Sequence, residues 1–558
     1  MMSIHPFYVP DFLVKVRGIP IEADVKNAVV SLSFDSVLDA ADMFTLQIND
    51  PDLRYLSAGL FQIGQEVEIH MGYVGNLQPM LFGEITALSP SFPEASAPTL
   101  TVTGYDKSHR MRRGKPLRPP FIGLNDSLIA AQIAAENFLI PIIDPSLLAP
   151  RETYHHNGSD WQLLQELADR NGFWVYVHWD KLYFRFPRPQ KDLVVLEWGE
   201  NLSSFSPRLS SSGLAGIQII RGYSELLAQE IVAVLPALSL GSDLDDTIGR
   251  LSQSSIDYLV QLGRNVVSDR TIESFSDALS IAKTVLLELF QGLYEGSGHC
   301  IGIPTLFARD SVEIRGIGKQ FSGRYTLSRV THTIDDGGYR TRFEVTQKYT
   351  TTLLQSLHTR VKDAPSPKKQ ERISGLLIGK VINNVDPKAN GRVQVQFPHI
   401  SETDLIWARL AQGPAGSARG VYFLPEVGDE VVVAFERGDI NKPVVLGSLW
   451  SNVARPPAVN EGLNAKKVIQ TRSGMAIEFD DTPGASMLTL KSTSGSSIEI
   501  AQELNSITVT DPSQNTVKLS PSGIEVDSKL YVKLSVGASS IELTTAGVQI
   551  RGTAIDLN

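Results

Sequence analysis

The C-terminal sixth of the chain repeats one three-residue pattern, apolar–polar–apolar, ten times. The copies are Ile477-Glu478-Phe479, Leu488-Thr489-Leu490, Ile498-Glu499-Ile500, Ile507-Thr508-Val509 and Val517-Lys518-Leu519, followed by Ile524-Glu525-Val526, Val532-Lys533-Leu534, Ile541-Glu542-Leu543, Val548-Gln549-Ile550 and Ile555-Asp556-Leu557. Their starts fall 7 to 11 residues apart. Alternation with period two predicts a strand with one face to bury. Turn formers separate the copies, among them Asp481-Thr482-Pro483-Gly484, Ser494-Gly495-Ser496, Asp511-Pro512-Ser513 and Ser522-Gly523. Strands this short bury their apolar face only in a stack, and a fixed repeat is the mark of a stack.

Each copy offers only two core side chains, which is thin for a solenoid of one chain. Three chains wound about one axis would pool their apolar faces and leave few free edges. Residues 471–558 are therefore expected to form a triple-stranded β-helix, with the polar middle residues facing water. Its expected trimer core comprises Ile498, Ile500, Ile507, Val509, Val517, Leu519, Ile524, Val526, Ile541, Leu543 and Val548. With strands about 4.8 Å apart, ten steps give a rod on the order of 50 Å long. The segments are too short and uniform for an ordinary β-sandwich.

The remaining 470 residues leave room for several domains. Apolar residues make up 42 % and charged residues 20 %, the balance of a soluble globular protein. A net charge of −10 argues against nucleic acid as a partner. The one cysteine, Cys300, excludes an intrachain disulfide framework. The N-terminal residues lack the basic and apolar regions of a secretory signal, and no run of about 18 apolar residues predicts a membrane span.

Along the chain, mainly β structure is expected. Residues 1–105 read as a first barrel, and 106–191 as an α/β segment. In that segment Asn125-Asp126-Ser127 caps a helix running to about Phe138, and Ser159 with Gln162 forms a capping box for a second. Gly172 stops that helix, and Phe173–Val177 with Leu182–Phe184 make a hairpin. Residues 192–223 and 296–350 read as a second barrel interrupted by a helical insertion, 224–295. Within the insertion Leu226, Leu227, Ile231, Val232 and Leu235 suggest one helix, a second segment follows Asp245-Asp246, and Ser274 with Asp277 caps a third helix. Residues 351–372 and 453–470 read as linkers flanking an all-β domain, 373–452.

That all-β domain carries a family resemblance. Asp386-Pro387, Gly391-Arg392-Val393, Phe397-Pro398, Trp407-Ala408-Arg409, Pro425-Glu426-Val427-Gly428-Asp429-Glu430 and Gly447-Ser448-Leu449 resemble the OB-fold domain of the VgrG-like spikes of type VI secretion and the baseplate hub–spikes of contractile-tailed phages. Upstream, Leu81–Leu88 with Leu100–Gly114, then Asn157–Val177, and then His299–Gly318 with Tyr325–Asp335 resemble the two hub barrels and the helix–hairpin between them. The 224–295 insertion makes the chain look more like the spikes of extracellular injection particles.

The resemblance implies a homotrimer whose six hub barrels adapt a three-fold spike to a six-fold tube. It implies synthesis in a bacterial cytoplasm without a signal peptide, and delivery outside or into a target cell on contraction. Expected partners are the inner tube ring and baseplate proteins at the hub, a PAAR-type tip protein at the C-terminal end, and effector cargo. The target membrane is met only mechanically. Self-pointed phage spikes close their tips with iron-binding histidines, whereas Thr553–Asn558 has none. A separate cap on Ile550, Ile555, Leu557 and Asn558 is therefore expected.

Residue patterns for chemistry are poor, and no catalytic, metal or cofactor residues are assigned. Gly375–Lys380 is one residue short of a phosphate loop, with Val381 where Ser or Thr should hold magnesium. His155-His156 and His299-Cys300 lack the three or four convergent ligands that zinc needs. No nucleophile elbow appears. Some phage spikes hold a lysozyme domain between OB domain and rod, but the residues 452–471 are too few to fold as one. The run from His109 to Lys115 is basic but lacks interleaved aromatics, so it reads as a loop or ion-pair site. Two other classes of function compete with the spike reading. A cryptic hydrolase would need a pocket of perturbed acids or histidines. An adhesin would need exposed aromatics near the tip, and beyond residue 470 there are only Phe479 and Tyr531.

Overall fold

The computed structural model describes residues 9–556, except 115–118, 151–152, 188–192, 212–213, 225–228, 241–248, 269–273, 346–372 and 398–404 and positions 39, 58, 95, 147, 149, 157, 238 and 374. The chain divides into two compact units, Met1–Gly447 and Ser448–Asn558.

The first unit is organised by one 13-stranded sheet. Its N-terminal half pairs Pro10–Val16, Glu66–Tyr73, Asn76–Ser91, Thr99–Asp106, Met43–Asn49 and Val29–Val37 in that order. Alternate residues such as Leu46, Ile48, Ile69, Ile85 and Val102 point into one core and are fully buried. The other half contains Gly323–Asp335, Gly338–Val345, Tyr294–Ile301 and Leu202–Leu209, with Ser311–Arg315 and Val194–Glu197 beside them. Leu327, Val330, Phe343 and Val345 fill a second core. The two expected barrels are thus two cores on one continuous sheet.

Strands Val29–Val37 and Gly323–Asp335 join the halves antiparallel, Arg329 opposite Val37 and Ile334 opposite Leu32. Polar groups fix this seam. Arg329 grips the Asp35 carboxylate with two nitrogens, and Thr331 Oγ1 donates to Asp35 at 2.7 Å. His332 is fully buried there, its Nε2 2.9 Å from the Leu306 carbonyl and its Nδ1 2.9 Å from the Tyr339 hydroxyl. Burial lowers its pKa to about 4, so the ring is neutral.

The α/β segment follows its local signals. Asn125 caps helix Asp126–Glu136 by accepting from the Leu128 amide, and Ser159 with Gln162 forms a complete capping box on helix Asp160–Asn171. Gly172 ends that helix at φ +68°, a conformation that costs glycine no Cβ clash. Trp174–His178 and Lys181–Arg185 form the hairpin, and Ile140–Ile143 adds parallel to its second strand.

The insertion corrects the sequence reading. Ile231, Val232 and Leu235 lie in a strand, Gln229–Pro236, not a helix. Leu226, Leu227 and Asp245-Asp246 lie outside the described residues. The strand pairs with Ile217–Ser224, which in turn pairs with Arg264–Val267. Ile217–Ser224, expected in the second barrel, therefore belongs to this separate three-stranded sheet. The physical reason is periodicity: Ile231 and Ala233 are buried and Val232 and Val234 exposed, which is strand alternation. Helix Phe275–Gln291, capped by Ser274 accepting from the Asp277 amide, packs Ala278, Ile281 and Ala282 onto Ile220, Ile231 and Ala233. A shorter helix, Gln253–Gln261, is capped by Ser252.

The OB domain is a closed barrel of five strands: Leu377–Asn383, Val393–Gln396, Leu405–Leu410, Glu430–Phe435 and Pro443–Leu449. The Asp386–Arg392 motif forms a turn closed by its own carboxylate. The Asp386 carboxylate accepts from the backbone amides of Lys388, Asn390 and Arg392 and from the Arg392 guanidinium at 2.7 Å. Arg392 in turn lies over the Trp407 ring, 5.4 Å from its centroid. Asn441 of this domain brackets the His155 backbone, accepting from its amide at 2.8 Å and donating to its carbonyl at 3.1 Å.

In the second unit, nine of the ten triplets occupy strands of five or six residues. Six of them, with Lys466–Gln470 ahead of them, make a seven-stranded antiparallel meander, and the next three make a separate three-stranded sheet, Tyr531–Val536, Ser539–Thr544 and Gly547–Arg551. Ile555 and Asp556 are not in a strand.

A candidate assembly surface on the C-terminal strands

The register of the meander places every triplet opposite the next. Its apolar flanks form two continuous ladders on one face. One runs Ile469, Ile477, Leu490, Ile498, Val509, Val517, Val526. The other runs Phe479, Leu488, Ile500, Ile507, Leu519, Ile524. In the second sheet Val532, Leu543 and Val548 align, as do Leu534, Ile541 and Ile550. Cross-strand pairs of this kind are the unit of sheet stabilisation, but they need a covering layer.

Among the described residues no such layer covers them. Ile498, Ile500, Ile507, Val509, Val517 and Leu519 are 38–42 % exposed, and Ile524 is 74 % exposed. Val526, Ile541, Leu543, Val548, Ile550 and Ile555 are exposed as well. A contiguous apolar face of this length marks an interaction surface. The structure thus places all eleven expected core residues on one kind of surface, strand flanks open to solvent. Leu557 and Asn558 lie outside the described residues. The sequence reading missed the strand Lys466–Gln470, whose two lysines break the alternation. It also left Ile477, Phe479, Leu488 and Leu490 out of the core, although the ladders run through them unbroken.

The opposite face is polar and partly satisfied. Lys491 Nζ lies 2.7 Å and Lys466 Nζ 3.3 Å from the Glu478 carboxylate, whose side chain is only 17 % exposed. The Lys491 hydrogen bond holds the Glu478 carboxyl below the usual range. Further along, Lys533 and Glu542 face each other at 3.8 Å.

The residue types weighed for chemistry are engaged in structure. His155 is buried and its pKa lowered to about 4 by desolvation. His299 Nδ1 lies 2.7 Å from Ser204 Oγ. Cys300 is buried, which pushes its thiol up to about 12. Among the described residues no three His, Cys, Asp or Glu side chains group as metal ligands. Gly375 leads into a barrel strand rather than a helix. In the basic run, Arg110 pairs with buried Glu84 at 2.6 Å and Arg112 lies over the Trp161 ring at 4.0 Å. No helix among the described residues is long and apolar enough to cross a membrane.

Three families match the chain. The type VI secretion system/phage-baseplate injector OB domain matches residues 377–450, and the phage baseplate V C-terminal trimerisation domain matches 466–529. The Alg8 N-terminal domain matches 9–336, more than half of the chain. Among curated relatives, the type VI secretion system spike protein VgrG2a of Pseudomonas aeruginosa is 34 % identical over 102 residues, 17 % of this chain and 12 % of its own length. The actin cross-linking toxin VgrG1 of Vibrio cholerae is 27 % identical over 144 residues, 24 % of this chain and 13 % of its own length. The chain thus spans about an eighth of the length of these relatives. A solved structure of the Francisella PdpA–VgrG complex aligns over 93 % of this chain and 88 % of its own, with TM-score 0.52 and 8 % identity, a likeness of fold. The chain belongs to the Alg8 N-terminal domain family, and behind that domain it carries the injector OB domain and trimerisation domain of a VgrG-like hub and spike.

Proposed function

We propose that three copies of this chain form the central hub and membrane-puncturing spike of a contractile injection apparatus. The observation that carries this reading is the pair of apolar ladders, exposed in one chain and running through the match to a trimerisation domain. Three such faces turned inward would bury one another, and the closed assembly would leave few strand edges. The work is then mechanical rather than enzymatic: the sheath drives tube and spike through the target envelope, and dense strand pairing resists unfolding under axial load.

The hub sheet would meet the inner tube ring and the baseplate. The C-terminal strands, with Ile550 and Ile555 exposed, would carry a PAAR-type tip protein and any effector cargo bound with it. The protein would be made in the bacterial cytoplasm and leave as part of the injection particle. Sedimentation equilibrium tests the core of this reading. A full chain at ~183 kDa, three times 61.1 kDa, that loses its trimer on removal of residues 466–558 supports it. A full chain that stays monomeric at micromolar concentration overturns it.

A further inference from the structure

The OB barrel touches the α/β segment through residues 436–442, which join Glu430–Phe435 to Pro443–Leu449. The Asn441 side chain takes both backbone groups of His155, its Oδ1 accepting from the amide at 2.8 Å and its Nδ2 donating to the carbonyl at 3.1 Å. A side-chain amide used in this way reads main chain, as a neighbouring strand would. The chain also enters the barrel here, the Ile373 amide donating to the Gly438 carbonyl at 2.9 Å. Covalent entry and amide bracket therefore share one loop.

Both partners are organised without the contact. On the barrel, Asp439 Oδ1 accepts from the Asn441 amide at 2.9 Å and from its Nδ2 at 3.2 Å, which orients the side chain. The Lys442 amide closes the loop on the Asp439 carbonyl at 2.9 Å, and the Glu436 amide closes it on the Lys442 carbonyl at 3.0 Å. On the other side the Tyr154 hydroxyl donates to Glu166 at 2.7 Å, and the His156 ring lies 3.1 Å from the carbonyl of Ser159, the cap of the following helix. Residue 155 is thus held through both its neighbours. The core of the barrel shares no side chain with the cores of the hub. A contact between two surfaces built separately is a docking contact, and making it orders little that was free before.

We infer that Asn441 is a clip that holds the OB barrel on the α/β segment of the hub independently of the covalent connection through residues 346–372. The inference rests on the proposed function and assigns the joint between hub and spike to one side chain. A trimer carries three such clips, and weak contacts that must all open together act as one strong contact. Thrust on the hub then reaches the OB barrel through the docked loop as well as through the connecting chain.

Cutting that connection tests the clip. A protease recognition sequence replaces residues 361–367 of the full chain, which is cleaved after assembly. The parts are followed by sedimentation at micromolar concentration in the parent, in Asn441→Ala and in Asn441→Asp. The aspartate keeps an acceptor for the His155 amide, loses the donor to its carbonyl and sets a second carboxylate beside Asp439. Melting of the uncut proteins shows that each barrel still folds. The clip predicts that the cut parent sediments as one particle and that both variants dissociate at least about tenfold more readily. In the uncut chain, hydrogen exchange at the His155 amide is expected to be about tenfold faster in Asn441→Ala than in the parent. A cut parent that separates into hub and a trimeric OB–rod part overturns the clip and leaves the trimer standing. Variants that hold as tightly as the parent, or equal exchange rates, overturn it too. A monomeric OB–rod part overturns the trimer reading itself.

Discussion

The OB barrel and the C-terminal strands are made of similar material, short runs rich in valine and isoleucine, and bury it in opposite ways. The barrel closes on itself and removes Val381, Val393, Val395, Phe397, Ile406, Val431, Val433 and Val445 from solvent within one chain. Beyond residue 450, Ala476 is the one buried apolar side chain among the described residues. The difference is one of closure. Five tilted strands can bring their first and last edges together, and a side chain from every strand then meets the others. The open meander of five-residue strands does not pair its first edge with its last, and its ladders stay exposed. Under the proposed function, a hub that one chain completes and a spike that needs other copies would share one polypeptide.

The largest expected effect separates the two regions outright. Ile507→Asp puts a carboxylate on the exposed ladder at a site that repeats three times in the trimer. A carboxylate without a partner in an apolar core costs several kcal/mol, so trimer should be lost at micromolar concentration in sedimentation equilibrium. The hub should keep its melting transition. If the mutant still forms trimer, the ladder does not face the axis.

Leu46→Ala makes the opposite comparison. Leu46 is fully buried in the first hub core, and truncation there should cost about 2–5 kcal/mol. The hub transition should fall in temperature independently of protein concentration, while the solution mass stays that of the parent. A matching fall in trimer mass would show that the hub, and not the rod, holds the copies together.

Acid provides a third contrast. His332 lies at the hub seam with its pKa lowered to about 4 from an ordinary value of 6.5. The unfolded chain takes up this proton before the folded one does. Stability from the neutral ring is fully present above about pH 6.5 and is lost as pH falls toward 4, on the order of 3 kcal/mol in all. His332→Gln should flatten the pH dependence of hub unfolding across that window. Thermal melts at pH 7 and pH 4.5 check it, and an unchanged slope would mean that other groups dominate.

Legibility in the sequence followed the same division. The triplets were readable because alternation over three residues is local, and nine of ten form strands. The caps at Asn125 and Ser159 were readable for the same reason, since donor and acceptor lie three residues apart. What failed was non-local or ambiguous. Ile231–Leu235 carries enough apolar residues to pass for a helix face, and only its pairing with Ile217–Ser224 decides otherwise. The seam joining the hub halves rests on Arg329 and Asp35, which lie 294 residues apart. No spacing rule reaches that far. In the candidate surface, the two lysines of Lys466–Gln470 hid a strand: Lys466 serves the polar face, where it meets Glu478 and Asp480, while Lys467 stands opposite Phe479 and reaches Asp481.

A smaller effect tests how a turn is held in the closed barrel. The Asp386 side chain is 3 % exposed within its turn, and Arg392 holds its carboxyl well below the usual carboxylate range. Hydrogen bonds to a charged acceptor make the turn dependent on ionisation. Because the folded-state pKa is depressed, this stabilisation is present above the unfolded value near 3.8 and is lost as pH falls below it. Asp386→Asn keeps the shape and removes the charge, and should cost about 2 kcal/mol at neutral pH. The penalty should shrink as the parent is acidified below pH 4. Denaturant titrations of both proteins at pH 7 and pH 3 measure it. A penalty equal at the two pH values would mean that shape, and not charge, holds the turn. The trimer should survive at pH 7 in either protein, because the turn supports a core that one chain completes alone.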